Sequence, residues 1–293
     1  MERLQSAIAL ARAERAQNPG QSPGQSPGQS LRGAAATASD PLTPDAAAAL
    51  AASWAALPPG QFDPARLRAA RIVAFEGGRE AAGFDVMRTR LLQQARANGW
   101  KRIAITSPSP GCGKSTIALN LAFSLARQEE YRVVLAELDL RRPSLAKILG
   151  VKGRADFSAV LRGQVGFADC ALRHGPALAI AVNQGPATNP AELMHAASVP
   201  TALAAIEAAY APDLMLFDMP PMLVSDDAMA FMSQVDAVLL IAAAEATTIK
   251  EVDACERDLA AQTNVMGVVL NKCRYMGAEN GYGYGYHAYG YYG

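Results

Sequence analysis

Ile103-Ala-Ile-Thr-Ser-Pro-Ser-Pro-Gly-Cys-Gly-Lys-Ser-Thr116, continuing as Ile117-Ala-Leu-Asn-Leu-Ala-Phe-Ser-Leu-Ala126, is the stretch around which the 293-residue chain is organised. A short apolar run passes into a Pro/Gly turn, and Gly113-Lys114-Ser115-Thr116 opens an apolar-periodic segment. That order of strand, loop and helix is the context in which a phosphate-binding loop carries meaning. Gly111 and Gly113 let the backbone curl so that successive N–H groups converge on phosphate oxygens. The helix that follows adds its positive N-terminal end. Lys114 is then placed to reach β- and γ-phosphates, and Ser115 to offer its hydroxyl to Mg²⁺. The strict pattern asks for glycine six residues before the lysine, where this chain has Pro108.

Working outward, apolar runs recur at intervals. Val133-Val-Leu-Ala136 delivers Glu137-Leu-Asp-Leu-Arg-Arg-Pro143, and Leu214-Met-Leu-Phe-Asp-Met-Pro-Pro221 ends on Asp218. Further buried strands are expected at Ala177–Val182, Val235–Ala243 and Val265–Asn271, and one more at Arg71–Phe75. Uniformly apolar runs suit strands buried on both faces of a parallel sheet. Acids at their C-terminal ends sit where open α/β sheets bind ligands. Helices are expected over Gly83–Gln94, Val151–Arg162 and, as a pair around Pro200, Pro190–Tyr210. The alternation predicts an α/β fold of the P-loop NTPase kind: a doubly wound, mostly parallel sheet with helices on both faces.

The flanks are different. Residues 1–17 read as a short amphipathic helix, and Pro19-Gly-Gln-Ser repeats three times up to Ser30. Such a repeat cannot bury a core. Residues 1–60 are therefore expected to be mostly disordered, with one helix over 44–57, and residues 61–274 to form the P-loop domain. From Tyr275 the chain becomes a tail in which seven of its nine tyrosines alternate with glycine. The tail is expected to be flexible: either a low-complexity end, or a set of phenols presented in extended conformation to a cleft.

Bulk properties narrow the field. Lys+Arg and Asp+Glu balance at 27 each, so no basic field favours nucleic acid. Cys112, Cys170, Cys255 and Cys273 form no CxxC pair, which fits a reducing cytoplasm and argues against zinc or iron–sulfur sites. No stretch is apolar over the length of a membrane span, the longest run being Ala237 to Ala244. A soluble cytoplasmic protein is expected, with any membrane role borrowed from a partner.

Together these residues resemble the bacterial tyrosine autokinases of capsule and exopolysaccharide biosynthesis. The resemblance rests on five motifs in order: Pro110 to Thr116, Glu137 to Pro143, Asn189 to Leu193, Asp218 to Pro221 and Gly267 to Asn271. The tyrosine-rich end adds to it. The resemblance implies ATP and Mg²⁺ as cofactors and transfer of phosphate, in trans, to tyrosines in the tail of a neighbouring subunit. The expected phosphoacceptors are Tyr282, Tyr284, Tyr286, Tyr289, Tyr291 and Tyr292. The catalytic set is Lys114, Glu137, Asp139 and Asp218, with Glu137 in the base role, where the family has aspartate. Gly111, Cys112, Gly113, Lys114, Ser115, Thr116 and Asn271 would bind the nucleotide, and Ser115, Asp139 and Asp218 the metal. For the two acids, a strand-end ion pair with Arg141 or Arg142 is the structural alternative; for Asn271, a strand-end cap is. A helix with Asp85 and Arg88, but with Arg90 one place early, matches half of the family's oligomerisation motif.

The implied partners are a transmembrane polysaccharide co-polymerase acting as activator, further copies of this chain, and a cognate tyrosine phosphatase. Three rivals share the fold. A partitioning-type ATPase switch carries a signature lysine where this chain has Ser109, and an iron–sulfur carrier needs a cysteine pair. An ATP-responsive scaffold of polysaccharide assembly would use the same motifs without catalysis.

Overall fold

Strand β1, Arg102–Thr106, lies inside a seven-stranded sheet and has a neighbour on each side. In the computed structural model, which describes residues 43–274, the other strands are β2 Val133–Glu137, β3 Ala171–His174, β4 Leu178–Ala181, β5 Leu214–Asp218, β6 Ala237–Ala243 and β7 Asn264–Asn271. Their order is β3-β4-β2-β5-β1-β6-β7. Only β3 runs antiparallel, against β4; every other pair is parallel.

The doubly wound expectation is met because the strands carry apolar side chains on both faces. In β2, Val134 and Ala136 enter one core while Val133 and Leu135 enter the other. β5 divides likewise, with Met215 and Phe217 on the first side and Leu214 and Leu216 on the second. Phe157, Leu203 and Leu259 bring helices Phe157–Leu161, Ser198–Tyr210 and Ile249–Ala260 to the first core. Leu91, Leu119 and Leu149 bring helices Ala82–Asn98, Lys114–Ala126 and Leu145–Leu149 to the second. With period-two strands, both faces must be covered, and both are.

Several expectations are corrected. Arg71–Phe75 is not a strand: Arg71 has φ +62° and the segment crosses the helix Lys114–Ala126. Ile72 and Ala74 are apolar because they enter the second core, and the amides of Val73 and Ala74 are met by a side chain instead of a sheet neighbour. Fully buried Asn120 accepts from Val73 N at 2.8 Å and Ala74 N at 2.9 Å, and donates to the Arg71 and Thr116 carbonyls, each at 2.9 Å. Only Phe157–Leu161 of the expected Val151–Arg162 helix forms, while β3 and helix Leu145–Leu149 were not expected. The break in the Pro190–Tyr210 pair lies ahead of Pro200, between helices Pro190–His195 and Ser198–Tyr210. Pro200 sits in the first turn of the second helix, where a missing N–H costs nothing.

The expected early helix forms at Pro44–Ala55. Its Trp54 is buried, with Nε1 donating to the Tyr210 carbonyl at 2.7 Å, and Leu57 is buried too. Packing thus reaches back past residue 61. The N-terminal helix and repeat, and the tyrosine-rich tail, lie outside the described residues.

Because Asn120 joins the crossing segment to the helix that follows the phosphate loop, Asn120→Ala is expected to lower unfolding free energy by roughly 2–4 kcal/mol. Two amides and two carbonyls lose a buried partner at once. Urea denaturation of the two proteins measures it.

Candidate active site at the ends of β1, β2 and β5

The loop after β1 holds a conformation that few residues tolerate. Gly111 has φ +80° and Gly113 φ +93°, and a Cβ on Gly113 would collide with the Asn271 side-chain amide. Glycine is required at both positions. The loop is braced from three sides. Asn271 Nδ2 donates to the Cys112 carbonyl at 2.8 Å, Cys112 Sγ lies 3.5 Å from Thr247 Oγ1, and Ser109 Oγ donates to Glu251 at 3.0 Å. On the remaining side Met222 N and Leu223 N donate to the Ser107 and Pro108 carbonyls at 2.8 and 3.0 Å.

Lys114, Ser115, Glu137, Asp139 and Asp218 meet at one end of the sheet. Pairing of β2 with β5 sets Glu137 level with Asp218. The N–H groups of Leu138 and Asp139 both donate to the Asp218 carbonyl, at 2.8 and 3.0 Å, so the loop carrying Asp139 hangs from β5. Lys114 Nζ then donates to Asp139 Oδ2 at 2.7 Å, both side chains being nearly buried. Burial works against the lysine's charge, but Asp218 and Asp139 outweigh it and hold the ammonium above the ordinary lysine range.

Asp218 is fully buried, and among the described residues neither carboxylate oxygen has a partner within hydrogen-bond geometry. Burial pushes its pKa up to about 6; the Lys114 charge and a weaker pull from the Ser115 hydroxyl offset this only in part. A buried carboxylate with both oxygens free is costly unless a cation is to be met there. Among the described residues no group of three or more metal-ligating side chains gathers. Mg²⁺ does not need one, since it is held through one or two carboxylates together with phosphate oxygens. The donor set of Asp218 and Ser115, whose hydroxyl also meets Ser144 Oγ at 3.2 Å, fits that chemistry.

Glu137, for which the resemblance implied the base role, has backbone amides for partners. It is fully buried and accepts from Ser144 N, from Leu145 N at 2.7 Å and from Asn183 N at 2.9 Å. Three of its four acceptor positions are thus taken by backbone, which makes it a clamp joining the loop after β2 to the exit of β4. Burial, opposed by these donors, pushes its pKa up to about 7. The ion pairs considered for the two acids are also absent. From Arg142, Asp139 takes the backbone N–H at 3.1 Å and not the guanidinium, and Arg141 grips Asp227 through Nε and Nη2, the latter at 3.0 Å. Asp227 is buried, with Ser225 Oγ on the same carboxylate at 3.1 Å. That pair ties the acid loop after β2 to the loop after β5. Nothing in the sequence joins two residues 86 positions apart.

Elsewhere, Asp85 and Arg88 are used within the chain. Ser124 Oγ donates to Asp85 at 2.6 Å, Arg127 also pairs with it, and Arg88 reaches the Ser124 carbonyl at 2.9 Å. Asn189, with φ +49°, and Glu192 line a cleft with Arg162 and Thr188. The six tail tyrosines lie outside the described residues.

Residues 103–280 match the CobQ/CobB/MinD/ParA nucleotide binding domain. The chain belongs to this family. Proteins similar to this chain include tyrosine-protein kinases, as the motif resemblance implied. YwqD of Bacillus subtilis, a tyrosine-protein kinase, is 29% identical over 203 residues, covering 69% of this chain and 84% of YwqD. The tyrosine-protein kinase ptk of Acinetobacter johnsonii is 32% identical over 191 residues, 63% of this chain. The chain spans only 25% of the length of ptk, and 26% of that of the tyrosine-protein kinase wzc of Salmonella typhimurium. Among solved structures, the kinase domain of the Escherichia coli tyrosine kinase ETK superposes with a TM-score of 0.60 at 27% identity, over 71% of this chain and 80% of that one. The VpsO kinase domain gives 0.58 at 28%, over 66% and 96%. The matched residues include the glycine loop, Lys114 and the acids Glu137, Asp139 and Asp218. Among the described residues no helix is long and apolar enough to cross a membrane.

Proposed function

We propose that this chain is a tyrosine autokinase: it transfers the γ-phosphoryl group of ATP, with Mg²⁺, to Tyr282, Tyr284, Tyr286, Tyr289, Tyr291 or Tyr292 of another copy. The observation carrying this reading is the convergence of Lys114, Asp139 and unpartnered Asp218 on the glycine loop. It is supported by the kinase relatives and by the run of phenols that ends the chain.

The backbone N–H groups of 111–116 cradle the phosphates, and Lys114 moves from Asp139 to the β/γ oxygens. Ser115 and Asp218 hold Mg²⁺, with Asp139 beside them. When bound, the metal neutralises charge on the β- and γ-oxygens. The acceptor phenol oxygen bonds to the γ-phosphorus as the bond to the β,γ-bridging oxygen breaks. Asp139, freed from Lys114, takes the phenolic proton. Glu137 keeps the loop in place. Asn271, its Nδ2 engaged by Cys112, has its Oδ1 available to the adenine amino group. Positioning and charge neutralisation supply most of the rate in such transfers.

The wider setting belongs to the same reading: a transmembrane co-polymerase that activates the kinase and recruits it to the inner face of the membrane, a cognate phosphatase, and control of polysaccharide polymerisation. Transfer between copies is tested by mixing active protein whose six acceptor tyrosines are phenylalanine with Lys114→Met protein whose tyrosines are intact. Phosphate on the Lys114→Met copy is the expected result. No phosphate on the Lys114→Met copy, under conditions in which the parent protein labels its own tail, would overturn the trans assignment.

A further inference from the structure

The two edges of the sheet are treated differently. β3 is four residues long, carries Arg173 and His174, and its outer side is met by the chain itself. Arg173 N donates to the Pro58 carbonyl and Gly60 N to the Arg173 carbonyl, both at 2.8 Å. A short, charged, covered edge resists pairing with other strands. The opposite edge, β7, is eight residues of Asn-Val-Met-Gly-Val-Val-Leu-Asn with no charge and no proline. Val268 and Leu270 are 42% and 43% exposed there, and among the described residues no strand pairs with its outer side. Val269 packs into the second core, so Val268 and Leu270 on either side of it share the other face. A long, uncharged, apolar edge of this kind is a template for strand addition.

We infer that the outer edge of β7 receives the chain's own Gly281-Tyr-Gly-Tyr-Gly-Tyr286 as an antiparallel eighth strand. The segment resumes nine residues after β7 ends, residues 272–280 forming the return, so loop closure costs little and the local concentration is high. Its alternation has period two, which sets Tyr282, Tyr284 and Tyr286 on one face and glycine on the other. The aromatic face lies over Val268 and Leu270, the kind of cross-strand pairing that stabilises sheets. The glycine face leaves the side of Val269 unobstructed. The strand is a resting place for the phenols, separate from the glycine loop, and holds whether or not they are phosphorylated elsewhere.

The test is hydrogen exchange of the β7 amides in the full chain, beside Gly283→Pro/Gly285→Pro, which cannot complete a ladder. The outward-facing β7 amides are expected to exchange about tenfold faster in the proline variant, at every protein concentration. Equal rates in the two proteins would overturn the proposal. Protection that grows with concentration, together with dimers in sedimentation, would overturn it too, by assigning the edge to a second copy.

Discussion

Lys114→Met is expected to lower phosphoryl transfer by about 10³-fold, the scale seen when one preorganised charge is removed from a phosphoryl- or acyl-transfer site. Methionine keeps the length and apolar stem of the side chain, so the packing of helix Lys114–Ala126 on the second core is retained. What is lost is the ammonium that faces both Asp139, at 2.7 Å, and Asp218. Asp139 and Asp218 are then left without the cation they share, just where further negative charge from ATP would enter. The loss should divide between nucleotide affinity and kcat, because the lysine meets the β/γ oxygens in ground and transition states alike. Isothermal titration with a non-hydrolysable ATP analogue, beside single-turnover rates, separates the two. Transfer within tenfold of the parent protein would remove Lys114 from the chemistry.

Asp218→Asn is expected to flatten the pH dependence of stability in the metal-free protein and to abolish its response to Mg²⁺. The folded pKa of Asp218, about 6, lies above the ordinary 3.8, so the fold prefers the protonated acid. Its stabilising contribution is complete below about pH 3.8 and is lost as pH rises through about 6, an effect on the order of 3 kcal/mol. Glu137, raised from 4.5 to about 7, adds a loss of the same sign, and the two acids repel across the β2–β5 pair. The parent protein should therefore melt at progressively lower temperature from pH 4.5 to 7, and Mg²⁺ with nucleotide should restore it at pH 7. The asparagine variant, with no charge to bury, should show a shallower fall and little restoration. Parallel melting profiles in both proteins, with and without Mg²⁺, would show that Asp218 neither carries the buried charge nor meets the metal.

Most of the sheet was legible because strands buried on both faces must be written as apolar runs. Val133–Ala136, Leu214–Phe217 and Val235–Ala243 admit little else at that length. β3 was missed because an edge strand obeys no such rule: Ala-Leu-Arg-His sets one apolar and one polar residue on each face, and a partner supplied by Pro58–Gly60 leaves no trace in its composition. Arg71–Phe75 misled for the opposite reason. Its apolar residues are buried, yet its backbone donors go to the Asn120 side chain, a contact made 46 and 47 positions away. At the site, the positions of Lys114 and Ser115 at the start of a helix, of Asp139 just past β2 and of Asp218 at the end of β5 were readable from local spacing. Glu137 shows the limit of that reading. Its position was given by spacing, but its hydrogen-bond partners, the amides of residues 144, 145 and 183, come from two other loops and were not. The Arg141–Asp227 pair was hidden for the same reason of distance.

The most direct measurement is to incubate the full chain with ATP and Mg²⁺ and map phosphate by mass spectrometry, with Asp139→Asn alongside. Phosphate on one or more of Tyr282, Tyr284, Tyr286, Tyr289, Tyr291 and Tyr292 in the parent protein, and its near absence in the variant, is the expected result. ADP accumulating while every tyrosine stays unmodified would contradict the kinase and make the protein an ATP-hydrolysing switch.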